Sequence, residues 1–388
     1  MTPKEATYLP LPGYPSSSPQ VLLLRAALLP GEEALAAWRH WRSQVKIEIE
    51  HVDAGSFRLL PLVYRNLRKQ GMADPLLKRL KGVYRLTWYQ NQLHLRAAAE
   101  VIQLLQSAGI ETLCLKGVPL LLRYYQDYGL RPMGDFDVLV PTVQRDAAIE
   151  CLIQAGWQAH WRPATKLTKD YLKIKHSWNF THANGGEFDL HWHVMIECLD
   201  AQADNDFWAR AEPLEFHDIS TLALCPTDQL MHVCVHGMAI NKMSPVRWVA
   251  DAMVILQTHN PLIDWSRLVD QAQQRRVSLF LGGALGYLRD TLAAPIPEET
   301  LKRLSAIPVT RLERLEYQAR VNPSASYLGA LPLTWAYYLR YQQQLIPNQS
   351  RLKLLVGFPR YVQLFLGFDD LKQTFAWAIK RGLAQLHK

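Results

Sequence analysis

The sequence predicts an α+β protein in which a small mixed β-sheet core is flanked by N-terminal and C-terminal helical regions. Three observations carry the prediction. Apolar residues recur at helical spacing from residue 20 to about residue 107, and again from residue 226 onward. Between these regions, residues 108–225 mix short β-like runs with helical ones. The strongest of those runs, Asp135–Val140, puts alternate side chains on opposite faces, with Phe136, Val138 and Val140 turned toward a core.

Residues 1–19 hold five prolines and Ser16–Ser18, and read as a flexible leader. The N-terminal helical region covers 20–107. Within it Glu32–Val45 and Leu59–Lys69 are amphipathic, and Ala73–Ser107 is a long helical run set off by Gly71 and Asp74-Pro75. The core, 108–225, begins at Ala108-Gly109. Glu111–Leu115 is β-like, Lys116-Gly117 makes a turn, and Val118–Tyr128 is helical, with Pro119 in its first turn, where a missing N–H costs nothing. Gly129–Gly134 reads as a loop, Asp135–Val140 as a strand, and Thr142–Ala155 as a helix. Trp157–Arg162 and Glu187–Val194 are strand candidates separated by a lysine-dotted segment, Lys166–Lys175. The C-terminal helical region, 226–388, contains Thr227–Met238, Val246–Thr258, Trp265–Ala272 with Asp264 as its N-cap, Val277–Ala293 and further helices beyond Val309.

Composition narrows the class. A chain of 388 residues with 49% hydrophobic and 20% charged residues buries a real core and is neither collagen-like nor disordered. Five cysteines (Cys114, Cys151, Cys198, Cys225, Cys234) form no CxxC pair and no regular framework, so they read as reduced thiols of a cytoplasmic protein. Arg25 interrupts the best early apolar stretch, so no membrane span is expected. Pro3, Pro10, Pro12 and Pro15 argue against a signal peptide. The net charge is +8, and Arg351 to Lys388 alone holds seven Lys/Arg against two Asp. Such a surface is compatible with polyanions. The twelve tryptophans are scattered rather than spaced as a base-stacking platform, so nucleic-acid binding has no support. The basic, aromatic stretch Leu352–Phe375 reads first as helix packed on the body.

The chemistry is concentrated in Gly134-Asp135-Phe136-Asp137-Val138-Leu139-Val140. Two carboxylates on one strand face repel each other and need compensation, which a divalent cation supplies. Hard oxygen ligands favour Mg²⁺ or Mn²⁺. Glu187-Phe188-Asp189-Leu190-His191-Trp192-His193 offers a third carboxylate, Asp189, on one face with His191 and His193. Upstream, Lys116-Gly117 stands at a strand-to-helix turn, where backbone N–H groups and a lysine suit phosphate. Arg131, just before Pro132, is a second phosphate candidate.

Taken in order, Leu115-Lys116-Gly117, Arg131 to Val140 and Phe188-Asp189-Leu190-His191-Trp192 resemble an uncharacterised bacterial nucleotidyltransferase family related to the DNA polymerase β superfamily. Pro226-Thr227-Asp228-Gln229-Leu230, His232, His236-Gly237 and Arg247-Trp248-Val249-Ala250-Asp251 resemble its helical half. The resemblance implies three metal-binding catalytic carboxylates, here Asp135, Asp137 and Asp189, with Mg²⁺ or Mn²⁺. It also implies transfer of a nucleoside monophosphate from a nucleoside triphosphate, ATP by default, to an acceptor hydroxyl on a small molecule or protein, with release of pyrophosphate. Lys116-Gly117 replaces the superfamily's usual Gly-Ser, which makes Lys116, with Gly117 and Arg131, the implied nucleotide-binding group. Candidate contacts in the acceptor pocket are His191, His193, His232, His236, Arg247 and Asp251. Two other readings stay open: a non-catalytic nucleotide-binding module with vestigial aspartates, and a zinc hydrolase built on His191-x-His193.

Overall fold

The computed structural model describes residues 19–44, 52–160, 167–183, 185–238, 246–259, 262–321, 331–345 and 350–386. Residues 1–18 of the expected leader lie outside them, as do Val45, Trp161, Arg162 and Lys166. Pro19, expected in the leader, instead opens α1 (Pro19–Leu28). This helix is buried on nearly every side, as its run Val21-Leu22-Leu23-Leu24 demands. It packs against α2 (Gly31–Gln44). Asp53 caps α3 (Ala54–Phe57) by accepting from the amides of Gly55 and Ser56. Next come α4 (Leu60–Lys69), ended by Gly71 in a left-handed conformation, and the long α5 (Leu77–Ser107).

The core sheet has seven strands, ordered β3-β4-β5-β2-β1-β7-β6. These are β1 (Leu113–Leu115), β2 (Asp137–Leu139), β3 (Gln158–Ala159), β4 (Ser177–Thr181), β5 (Glu187–His191), β6 (Glu212–Phe216) and β7 (Ile219–Ala223). Three helices of this region are α6 (Gly117–Pro119), which continues as a π-helical turn over Leu120–Tyr125, α7 (Arg145–Gln154) and α8 (Lys169–Lys173). A fourth, α9 (Asn205–Ala209), precedes β6. The central strands β1 and β2 are buried on both faces, which suits the apolar Leu113–Leu115 and leaves Asp137 as the one buried charge of β2. β2 runs parallel to β5 and antiparallel to β1, and this pairing makes the site.

Three strands escape the sequence reading. β4 keeps only Phe180 fully buried, so its alternation is weak. β6 carries Pro213, which an edge strand tolerates because one row of N–H groups has no ladder partner. The β6–β7 hairpin turns on His217 and Asp218, both at positive φ (46° and 62°) without any glycine to announce it.

The C-terminal region is helical: α10 (Pro226–Gly237), α11 (Val246–His259), α12 (Trp265–Gln274), α13 (Ser278–Leu292), α14 (Glu298–Ala306), α15 (Arg311–Val321), α16 (Leu331–Leu345), α17 (Arg351–Leu366) and α18 (Leu371–Leu386). Asp264 caps α12 by accepting from the amide of Arg267. One apolar core runs from Leu22 to Tyr317, and α1 packs directly on α11. Among the described residues, no helix is long and apolar enough to cross a membrane.

Gly237 lets α10 and α11 approach closely. A Cβ there would lie 2.2 Å from Cγ of Trp248. Gly237→Ala is therefore expected to destabilise the protein by about 1–3 kcal/mol through overpacking. Gly82→Ala, in the middle of α5 with open space around the new Cβ, should stabilise it by about 0.5–1 kcal/mol. Urea midpoints of the two variants check the opposite signs.

Candidate active site

The sheet register assembles the centre. In it Asp137 stands opposite Leu115 of β1 and opposite Asp189 of the parallel strand β5. Two carboxylates thus meet on adjacent strands, and Lys116 follows directly after Leu115. Its ammonium lies 2.5 Å from Oδ1 of Asp137. Nε2 of His191 is 3.1 Å from the same oxygen, and Asn179 on β4 donates to Oδ1 of Asp189 at 3.0 Å. Lys116 reaches this position with φ at +47°, an uncommon conformation for lysine and a sign that the turn is held by its surroundings.

Electrostatics follow from this crowding. Burial pushes the Asp137 carboxyl up, but Lys116 and His191 outweigh it and leave the group well below the usual carboxylate range. Burial pulls the Lys116 ammonium down, yet Asp137, Asp189 and Asp135 leave it raised. Burial raises Asp135, and repulsion from Asp137 and Asp189 raises it further.

The donor set fits a divalent cation. Ligand atoms of Asp137, Asp189 and His191 lie within 4.8 Å of one another. Nδ1 of His191 is 3.3 Å from the carbonyl of His193, a contact that only an N–H at Nδ1 makes, and Nε2 faces Oδ1 of Asp137. The Lys116 ammonium, 3.5 Å from Nε2 and 2.5 Å from Oδ1 of Asp137, completes this cluster of three groups. Two carboxylates with an imidazole suit Mn²⁺ as well as Mg²⁺. Asp135 lies before β2 rather than in it, outside the three converging atoms but within their field.

Several expected site residues serve other purposes. Arg131 is buried, and its Nε and Nη2 donate to the two oxygens of Asp251 at 2.8 and 2.9 Å. Asp251 also accepts from the hydroxyl of Tyr125 at 2.8 Å. The expected phosphate clamp and the expected acceptor contact are therefore partners in one buried tie, which fixes the loop before β2 to α11. Gly117 is buried beneath this loop, where a Cβ would lie 2.8 Å from Sδ of Met133. His191 is a partner of Asp137, not a free pocket residue. Nδ1 of His193 pairs with Asp204 at 2.8 Å, because β5 ends at His191 and the alternation that would align the two rings stops there. That geometry removes the zinc pair as drawn: His193 is absent from the three-ligand group found among the described residues.

Helix α10 faces the centre with His232 and His236, whose rings are 5.7 Å apart. His236 is exposed; His232 is buried and neither of its ring nitrogens has a hydrogen-bond partner among the described residues. Burial, with Lys116 and His191 adding like charge and only Asp137 opposing them, holds the His232 imidazole down at about 3. Between the unfolded value near 6.5 and about 3, the unfolded chain binds a proton that the folded chain refuses, so stability falls as pH drops through that window. At pH 5 the loss is roughly 2 kcal/mol. Urea unfolding of His232→Gln should show a pH 7.5-to-5 difference smaller by about that amount; an unchanged difference would place the acid sensitivity elsewhere.

The sequence reading missed four residues here. Asn179 orients Asp189 from the unforeseen strand β4. Asn91, buried in α5, donates to the carbonyls of Tyr128 and Arg131 and accepts from the amide of Met133, holding the loop into β2. Tyr125 supports Asp251, and Arg58 approaches Asp135 from the end of α3. Only Asn91, a polar residue at a core position of an apolar repeat, left a signal that could have been read.

Residues 54–293 match a family model described as an uncharacterised nucleotidyltransferase. The match runs from the first residue of α3 to the end of α13 and contains every residue of the centre. No curated protein and no solved structure matches the chain.

Proposed function

The chain belongs to the uncharacterised nucleotidyltransferase family, and on that premise we propose that it moves a nucleoside monophosphate from a nucleoside triphosphate to an acceptor hydroxyl, using Mg²⁺ or Mn²⁺. The observation that carries the reading is the convergence of Asp137, Asp189 and His191 beneath the Lys116 ammonium. In the reaction, the acceptor oxygen bonds to the α-phosphorus, the bond to the α,β-bridging oxygen breaks, and pyrophosphate leaves with that electron pair. Asp137, Asp189 and His191, with Asp135 as a further ligand, would hold a divalent cation, which would supply Lewis-acid charge to the phosphate oxygens and acidity to the acceptor hydroxyl. Asp189, steadied on Oδ1 by Asn179, keeps its other oxygen for the hydroxyl proton. Lys116 neutralises charge that grows on the phosphates. His232 and His236 border the side from which an acceptor enters.

ATP, the default donor, labelled with ³²P at either the α or the γ position tests this reading. The protein is incubated with each, Mn²⁺ and a metabolite extract as the source of acceptors. The α label is expected on a product larger than phosphate and the γ label in pyrophosphate. Gamma label on a product, or as orthophosphate, would make the protein a kinase or a phosphatase instead.

A further inference from the structure

Arg58 and Arg247 are half-buried cations whose side chains make no hydrogen bond and no ion pair with any described residue. They come from separate elements. Arg58 closes the short helix α3, whose start Asp53 fixes, and α3 packs on α11. Arg247 lies in the first turn of α11, one turn before Asp251 and on the same face. Both feel the charges of Arg131, Asp135 and Asp251, and Arg247 feels Arg58. Asp251 cannot neutralise them, because Arg131 and Tyr125 already occupy both its oxygens. Asp135 also feels the Lys116 charge.

Three guanidiniums drawn together around one saturated and one shared carboxylate repel each other. Burial, followed by the Arg131 charge, accordingly lowers the pKa of Arg58 and of Arg247. A partly desolvated guanidinium without a partner among the described residues is costly, and two that feel each other's charge attract a polyanion. Their planar forks match phosphate oxygens two at a time.

We propose that Arg58 and Arg247 form an anion site for the β- and γ-phosphates of the donor, on the Asp135 side of the centre. The proposal rests on the nucleotidyltransferase reading and gives the cleft a direction. Guanidiniums of α3 and α11 hold the leaving pyrophosphate, while the imidazoles of α10, on the Lys116 and His191 side, face the acceptor. Arg247, expected from the sequence as an acceptor contact, is thereby assigned to the donor.

Calorimetric titration with Mg²⁺–tripolyphosphate and Mg²⁺–ATP tests the site on wild type, Arg58→Gln, Arg247→Gln and Arg247→Lys. Each glutamine variant is expected to bind both probes about tenfold or more weakly, with an unfolding midpoint close to wild type, and Arg247→Lys to fall between. If both glutamine variants bind both probes as wild type does while wild type still transfers the α label, the anion site is wrong and the nucleotidyltransferase reading stands. Weakening that appears only together with a lowered unfolding midpoint and is not eased in Arg247→Lys would also overturn the site, since it marks a structural role. If wild type binds neither probe, both proposals fall.

Discussion

Asp137→Asn is expected to remove Mg²⁺-dependent nucleotide binding and to slow transfer at least about 10²-fold, because a metal-held phosphate is worth several kcal/mol in the transition state. The same change acts on the fold. Asp137 is the close partner of the Lys116 ammonium and of Nε2 of His191. Removing one member of a buried charge pair costs about 3–5 kcal/mol, so the variant should also unfold at lower urea. The two effects can be separated. Asp137→Asn/Lys116→Met removes both charges and should recover much of the stability while leaving the protein inactive. Recovery of activity together with stability would show that Asp137 serves the fold alone.

Arg131→Met is expected to lower stability by about 3–5 kcal/mol, since it leaves Asp251 buried with only Tyr125 as a hydrogen-bond partner among the described residues. The double variant Arg131→Met/Asp251→Leu should be far more stable than the sum of its parts implies, because no buried charge is stranded. Urea denaturation of the four proteins in this cycle measures the coupling. The cycle also decides between two roles for Arg131. A phosphate clamp would lose ATP affinity with its stability intact, whereas a tie between the loop and α11 loses stability first and affinity as a consequence.

The alternation around Asp135–Val140 and Glu187–Val194 made the two acidic strands legible, and the helical period made α4, α5 and α10 to α13 legible almost to the residue. Pairing between strands was another matter. Period-two patterning says which side chains share a face but not which strand lies beside which, so nothing in the sequence dictated that Asp137 would face Asp189 in register. Likewise β4, β6 and β7 carry polar or proline-bearing faces and gave no apolar alternation. At the site, residue type identified the acidic residues but not the partners of the cations. Arg131 and Arg247 look alike in the sequence; only the fold gives the first a bidentate carboxylate and leaves the second without a partner among the described residues. His193 was misjudged for a related reason, since the strand ends two residues before it and its ring turns to Asp204. Arg58 carried no sequence signal at all, because its importance comes from α3 packing on α11.

Titration of ATP, CTP, GTP and UTP into the protein with and without Mg²⁺, beside an Asp137→Asn/Asp189→Asn variant, tests the centre most directly. Binding of at least one triphosphate that requires the cation and disappears in the variant is the expected result. Binding that is indifferent to the cation, or equal in the variant, would contradict a nucleotidyl-transfer centre built on these carboxylates.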